Sequence, residues 1–226
     1  GNTTNLADMD FSSGVGNVGI LNVRDIGSTT SKAVNGQLGA ATQPTITVGR
    51  SDIANKNYSI GMAAGYLDKD GVLKQTGHVE NYGKIDVVGE GGIGMYAAGS
   101  GSTAINHIGA EINLRSSVSK DNPNIGMFTE TLEDGYGSNL FNSGDIIGGD
   151  NNYGIYGAYI WHDTGKIKLG NNSVGIFGLA NIVDSPSEVN VTDGEIEVGN
   201  NSKGIFVSGN SATKVINGAK MTIGDN

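Results

Sequence analysis

The chain has 226 residues, 38 of them glycine, three proline and none cysteine, and a formal net charge of −9. Abundant glycine without a Gly-X-Y period excludes collagen, and the missing thiols exclude disulfide frameworks, thiolate zinc sites and cysteine nucleophiles. The acidic balance, with no basic stripe to neutralise phosphates, argues against nucleic-acid binding.

No run of 18 apolar residues occurs, and residues 1–20 lack a charged segment followed by an apolar one, which suits either a protein soluble as written or, the expectation adopted, a piece from which leader and anchor have been removed. Hydrophobic residues make up 37%, enough for a narrow core rather than a wide one.

A repeat of about 30 residues governs the rest. Its marker is a glycine between mostly apolar neighbours, first seen at Val18-Gly19-Ile20. An excursion rich in Ser, Thr, Gly and Gln follows over 22–44, and then the alternating run Ile46-Thr47-Val48-Gly49. The marker returns at Ile60-Gly61-Met62, followed by a second excursion over 66–77. Next come His78-Val79-Glu80-Asn81, Ile85-Asp86-Val87-Val88-Gly89 and Ile93-Gly94-Met95. The cycle continues with Ala104-Ile105-Asn106-His107, an excursion over 115–123, the marker Ile125-Gly126-Met127 and another excursion over 129–138.

From Asp145 the units become tidy. The marker stands at Tyr153-Gly154-Ile155, Val174-Gly175-Ile176 and Lys203-Gly204-Ile205. Runs of alternating apolar residues precede the last two, at Ile167-Lys168-Leu169-Gly170 and Ile196-Glu197-Val198-Gly199. Val189-Asn190-Val191 and Lys214-Val215-Ile216-Asn217 supply the third short segment of the unit. Gly218 to Asn226 starts another copy, which is expected to make this chain a segment cut from a longer one.

These segments alternate with period two and are β-branched, which predicts strands; glycine and asparagine interrupt them too often for helices. Asparagine pairs at 151–152, 171–172 and 200–201 suit corners, because asparagine tolerates left-handed backbone angles. Three short strands and three corners per unit predict an all-β fold, a right-handed parallel β-helix of about seven coils, with loop insertions in the N-terminal half.

A single β-helix is expected over 1–226, irregular over 1–58 and regular over 59–226. Ile167/Leu169, Ile196/Val198 and Met221/Ile223 should form inward ladders, as should the residues after each marker glycine. Lys166, Glu195 and Lys220, and Lys168, Glu197 and Thr222, should form outward columns that help hold register. One position beyond the inward residue stand Leu21, Ala63, Tyr96, Phe128, Tyr156, Phe177 and Phe206, a column whose side of the sheet the pattern leaves open.

The motif Gly-x-Ile-x-(Val/Leu)-Gly-Asn-Asn-Ser-x-Gly-Ile-Phe at 165–177 and 194–206, with degenerate forms at 83–96, 144–156 and 218–226, resembles the passenger repeats of large fusobacterial monomeric autotransporter adhesins (type V secretion). Residues 1–58 match it poorly. The resemblance implies a virulence-associated passenger held at the cell surface by a C-terminal outer-membrane β-barrel that this chain lacks. It further implies a monomer that attaches to host cells or other bacteria through a surface protein or glycan, without catalysis or cofactor. The Asn-Asn-Ser-Val-Gly-Ile run is also similar to the head repeats of trimeric autotransporters, but those recur at about half this spacing.

Candidate chemistry is sparse. A glycoside hydrolase needs two carboxylates flanking the bond, whereas Asp86, Glu195 and Glu197 alternate with aliphatics as on a solvated face. His78, His107 and His162 lie on three different repeats with no neighbour at ligand spacing. Asp163 after His162 has no nucleophile motif beside it, and Ser185-Pro186-Ser187 suits a turn. Asp68-Lys69-Asp70-Gly71 and Gly148-Gly149-Asp150 match fragments of calcium loops and equally suit plain turns. The aromatic group Tyr153, Tyr156, Tyr159 and Trp161 is dense enough to anchor a sugar or a protein. Tyr153, Tyr159 and Trp161, with Tyr66, Asp68 and Asp70 of the second excursion, are the partner-binding candidates. The competing readings are a polysaccharide-active enzyme and a spacer stalk.

Overall fold

A computed structural model describes residues 1–130, 138–180, 187–209 and 213–226. The chain winds as a right-handed parallel β-helix, and every turn adds one strand to each of three parallel sheets. Among the described residues there are seven complete coils and two strands of an eighth. Sheet 1 runs from Asn2–Asn5 to Thr213–Asn217, sheet 2 from Met9–Val15 to Lys220–Ile223, and sheet 3 from Val18–Asn22 to Lys203–Gly209.

The stretch 22–44 is not one loop. It carries the strand Lys32–Asn35, which pairs with Asn2–Asn5 on one side and His78–Asn81 on the other. Four residues between serine- and glycine-rich flanks give too short a pattern to stand out in the linear sequence. The excursion at 66–77 folds back on itself as an antiparallel hairpin of Tyr66–Leu67 and Leu73–Gln75. Most of the stretch 129–138, and Ser185 and Pro186, lie outside the described residues.

The interior is filled by aliphatic ladders. Sheet 2 contributes Ile46, Ile85, Ile112, Ile146, Ile167 and Ile196, all fully buried and paired in register. Sheet 3 contributes Met62, Met95, Met127, Ile155 and Ile176, and sheet 1 contributes Val79, Ala104, Leu140, Ile160 and Val189. Outside, Lys166 reaches Glu195 at 3.8 Å and Lys168 reaches Glu197 at 3.6 Å across neighbouring coils, as the outward columns predict.

The marker glycine has a steric cause. Around Gly94, Ile93 and Tyr96 belong to an outer cluster while Met95 lies in the main core, so the in-out alternation slips at the glycine. A Cβ on Gly19, Gly61, Gly94, Gly126, Gly154 or Gly175 would come within 2.7 Å of the carbonyl oxygen of the marker glycine on the next coil. Only hydrogen fits between coils at that height.

The Asn-Asn-Ser corner resolves into separate tasks. One asparagine of each pair takes the left-handed conformation: Asn151, Asn172 and Asn201 have φ of 59°, 54° and 53°. The side chains of Asp150, Asn171 and Asn200 accept from the backbone N–H of Asn171, Asn200 and Asp225 on the following coil at 2.7–2.9 Å. Ser202 Oγ accepts from the Ser173 N–H, and Ser173 Oγ from the Asn152 N–H.

A second polar ladder closes the corner after sheet 1. Asn5, Asn35, Asn81 and Asn106 each donate a side-chain N–H to the next asparagine at 2.9–3.0 Å, ending at Asn142. Asn142 then lies 3.0 Å from Nδ1 of His162. As each amide both donates and accepts, the column satisfies itself without water. His162 ends it as an acceptor, leaving its buried Nε2 without a partner. Burial pulls the His162 pKa down from its ordinary value of 6.5, against opposing hydrogen bonds.

Two outcomes follow. Gly126→Ala should lower stability by about 1–3 kcal/mol, since the carbonyl it would strike is backbone and cannot rotate away; urea denaturation measures this. Because folded His162 resists protonation, its contribution is complete above about pH 6.5 and is lost as pH falls below that value. His162→Asn should therefore flatten the fall in melting temperature below pH 6.5.

Candidate functional site

Two outer faces collect the residues with chemical character. On sheet 1 the pairing aligns Val34, Glu80, Ile105, Phe141, Trp161 and Asn190 as an outward column. Glu80 is 6% exposed. Its Oε2 accepts from Lys32 Nζ at 2.9 Å and lies 3.1 Å from His78 Nε2, and its Oε1 meets His107 Nε2. The His107 ring stacks flat on Tyr82, with centroids 4.1 Å apart.

Two histidines placed on different repeats by the sequence thus converge on one carboxylate, because the coils are adjacent in space. Hydrogen bonds from His107 and His78, and then from Lys32, outweigh burial and hold the carboxyl far below the usual carboxylate range. Both oxygens are occupied, so Glu80 is a fixed anion rather than a free base. The third histidine, His162, points into the core, while Asp163 faces out and accepts from Thr192 Oγ1.

Further along the same face, Phe141 and Trp161 stack with centroids 4.7 Å apart. With the Asn190 amide oxygen turned toward the indole, Trp161 Nε1 donates to it at 3.0 Å. The indole is therefore committed to the preceding coil by its ring and to the following coil by its N–H. Tyr159 lies two residues before Trp161, paired with Asn139 and Glu188.

Tyr153 is elsewhere. The chain turns a one-residue corner at Ala158, so Tyr153 and Tyr156 fall on sheet 3 while Tyr159 and Trp161 fall on sheet 1. Tyr153 packs edge-on to Tyr156 and Phe177 at 5.8 and 5.9 Å. The aromatic column left open by the sequence is outward: Tyr96, Phe128, Tyr156, Phe177 and Phe206 touch in succession, with centroids 4.5–5.9 Å apart.

At the N-terminal end of that column the hairpin covers sheet 3. Leu67 and Leu73 pack on Ile60, Ala63, Ile93, Tyr96 and Ala98, together with Tyr58 and Phe128. Asp68 Oδ1 accepts the N–H groups of Asp70 and Val72 at 2.9 and 3.0 Å, which makes 68–71 the tip of the hairpin. Across from it, Asp52 caps the short 3-10 turn Ile53–Asn55, and Lys56 ends that turn with φ of 55°.

Between these walls lies a groove of about 460 Å³ lined by residues that include Lys56, Asn57, Tyr58, Tyr66, Asp68, Lys69, Tyr96 and Glu130. Burial pushes the Glu130 carboxyl above its ordinary value, with Lys56 opposing, and burial likewise raises the Tyr96 and Tyr58 phenols. Of the sequence candidates, Tyr66 and Asp68 line this groove, and Asp70 sits beside it on the hairpin tip. Tyr58, Lys56 and Glu130 carried no linear signal, since they join the groove only through coil stacking. Among the described residues, no three His, Asp or Glu side chains converge as metal ligands, and no helix is long and apolar enough to cross a membrane.

Residues 11–132, more than half of the chain, match the model of the BigA third pectate lyase-like domain. The chain belongs to this family. No curated protein and no solved structure matches it. The matched stretch of this pectate lyase-like domain takes in the first coil from Phe11 onward, the strands of the next three coils, the Glu80 cluster and all of the residues that line the groove.

Glu80→Gln should destabilise the fold by about 1–2 kcal/mol at pH 7, as it removes the ionised acceptor of three donors. Because folding depresses the Glu80 pKa, the wild-type advantage is present above about pH 4.5 and shrinks as pH falls below it. Denaturant midpoints of the two proteins across pH 3–8 measure the difference.

Proposed function

We propose that this chain is a segment of a bacterial cell-surface passenger of autotransporter type, which projects from the outer membrane as a stiff rod and takes part in attachment to host cells or other bacteria. The supporting observation is the division of labour in the structure. Core, corners and outward charge columns are spent on stacking coils, whereas the hairpin at 66–75 is an addition to the coil that builds a groove on its surface. Stacked coils need only their neighbours, so such a rod lengthens by repetition, and decoration of a rigid scaffold supplies contacts. The partner is a surface protein or glycan, the rod is a monomer, and the membrane anchor is a C-terminal β-barrel outside this chain.

The pectate lyase-like family favours a second reading, a polysaccharide-active enzyme. Fold alone does not carry chemistry. Glu80, the most completely hydrogen-bonded acid of the sheet 1 face, is saturated by its own donors, which supports display over catalysis.

Beads coated with the chain should adhere to bacterial or epithelial cells. Replacing residues 67–74 with a two-residue turn should lower attachment about tenfold or more while the far-ultraviolet strand signal persists. Equal attachment by the shortened protein moves the contact off the hairpin. Release of unsaturated or reducing ends from a polysaccharide panel would replace the adhesion reading with the enzymatic one.

A further inference from the structure

We infer that the groove between the hairpin and the outer face of sheet 3 binds a neutral oligosaccharide. This deepens the adhesion reading and rests on it. The groove's volume of about 460 Å³ lies within the range of about 300–1,000 Å³ found for small-molecule sites. What separates it from the other aromatic surfaces is an uncommitted ring. Trp161 is stacked on Phe141, and Tyr153, Tyr156 and Phe177 are packed on one another. Tyr66 is 43% exposed and, among the described residues, shares no ring contact, so its face is open to a ligand.

The polar lining selects the class. In the lining Lys56 and Lys69 stand with Asp68 and Glu130, two groups of each sign, and Lys74 behind it pairs with Asp68 at 3.4 Å. An anionic sugar would meet two carboxyl groups, and a basic peptide would meet two ammonium groups. Hydroxyl groups both donate and accept, and therefore match a lining that holds donors and acceptors together. Tyr66 supplies the apolar face on which the C–H side of a pyranose rests, over a floor that includes Tyr58 and Tyr96.

The test presents the whole chain with three panels on one surface: neutral oligosaccharides containing hexoses and N-acetylhexosamines, acidic oligosaccharides carrying sialate or uronate, and short basic and acidic peptides. A neutral glycan is expected to bind. Tyr66→Ala should weaken that binding at least about tenfold, Tyr66→Phe should retain it within about threefold, and Trp161→Ala should leave it unchanged. Each variant is first checked for the wild-type far-ultraviolet spectrum. The inference is overturned if no neutral glycan binds, if Tyr66→Ala binds as well as wild type, or if an acidic sugar or a peptide is the Tyr66-dependent ligand. Undiminished cell attachment by Tyr66→Ala would remove the groove and leave adhesion standing. Glycan binding without cell attachment would do the reverse.

Discussion

Everything in this molecule depends on the close vertical approach of one coil to the next. At the marker glycines a methyl group would lie within 2.7 Å of the next coil's carbonyl oxygen, so the backbones there meet with nothing between them. Strands of a parallel sheet are about 4.8 Å apart, and that spacing repeats through all three sheets at once. Equivalent residues are thereby forced over one another, and each column must be compatible with itself. Isoleucine, valine and methionine stack on their own kind inside; asparagine can do so because its amide offers a donor on one side and an acceptor on the other.

Like charges stacked on one another are unfavourable, and although Glu111 stands over Asp145, the later outer columns alternate. Lysine alternates with glutamate in the tidy coils, which supplies register at small energetic gain. Glu80 is the more elaborate case. It sits on a column with Val34 and Ile105, neither of which can pair with it, and draws Lys32, His78 and His107 from flanking positions. An arrangement that looks catalytic in composition is, in geometry, the neutralisation of a nearly buried acid.

The same rule limits what the aromatic residues can do. In a stacked column, rings face one another along the rod axis, so their faces are consumed by neighbours. A ring becomes available only where the chain leaves the helix, as at Tyr66 on the hairpin. The insertions and the grooves they make with the sheet behind them are therefore where this scaffold leaves side chains uncommitted to stacking.

The sequence alone determined the β-helix, the number of coils, the inward ladders and the outward charge columns, because a period-two pattern inside a repeat of about 30 residues maps directly onto coils in register. It also determined which residues follow the marker glycines into the core. Only the tertiary structure decided that Lys32–Asn35 is a core strand, that the aromatic column faces outward, that Tyr153 parts from Trp161, and that His78 and His107 share Glu80. The groove was decided there too, since Tyr58, Tyr66, Tyr96 and Glu130 come from separate segments. The physical reason is the corner: a single residue such as Ala158 redirects the chain from one sheet to another, and linear spacing carries no record of the turn.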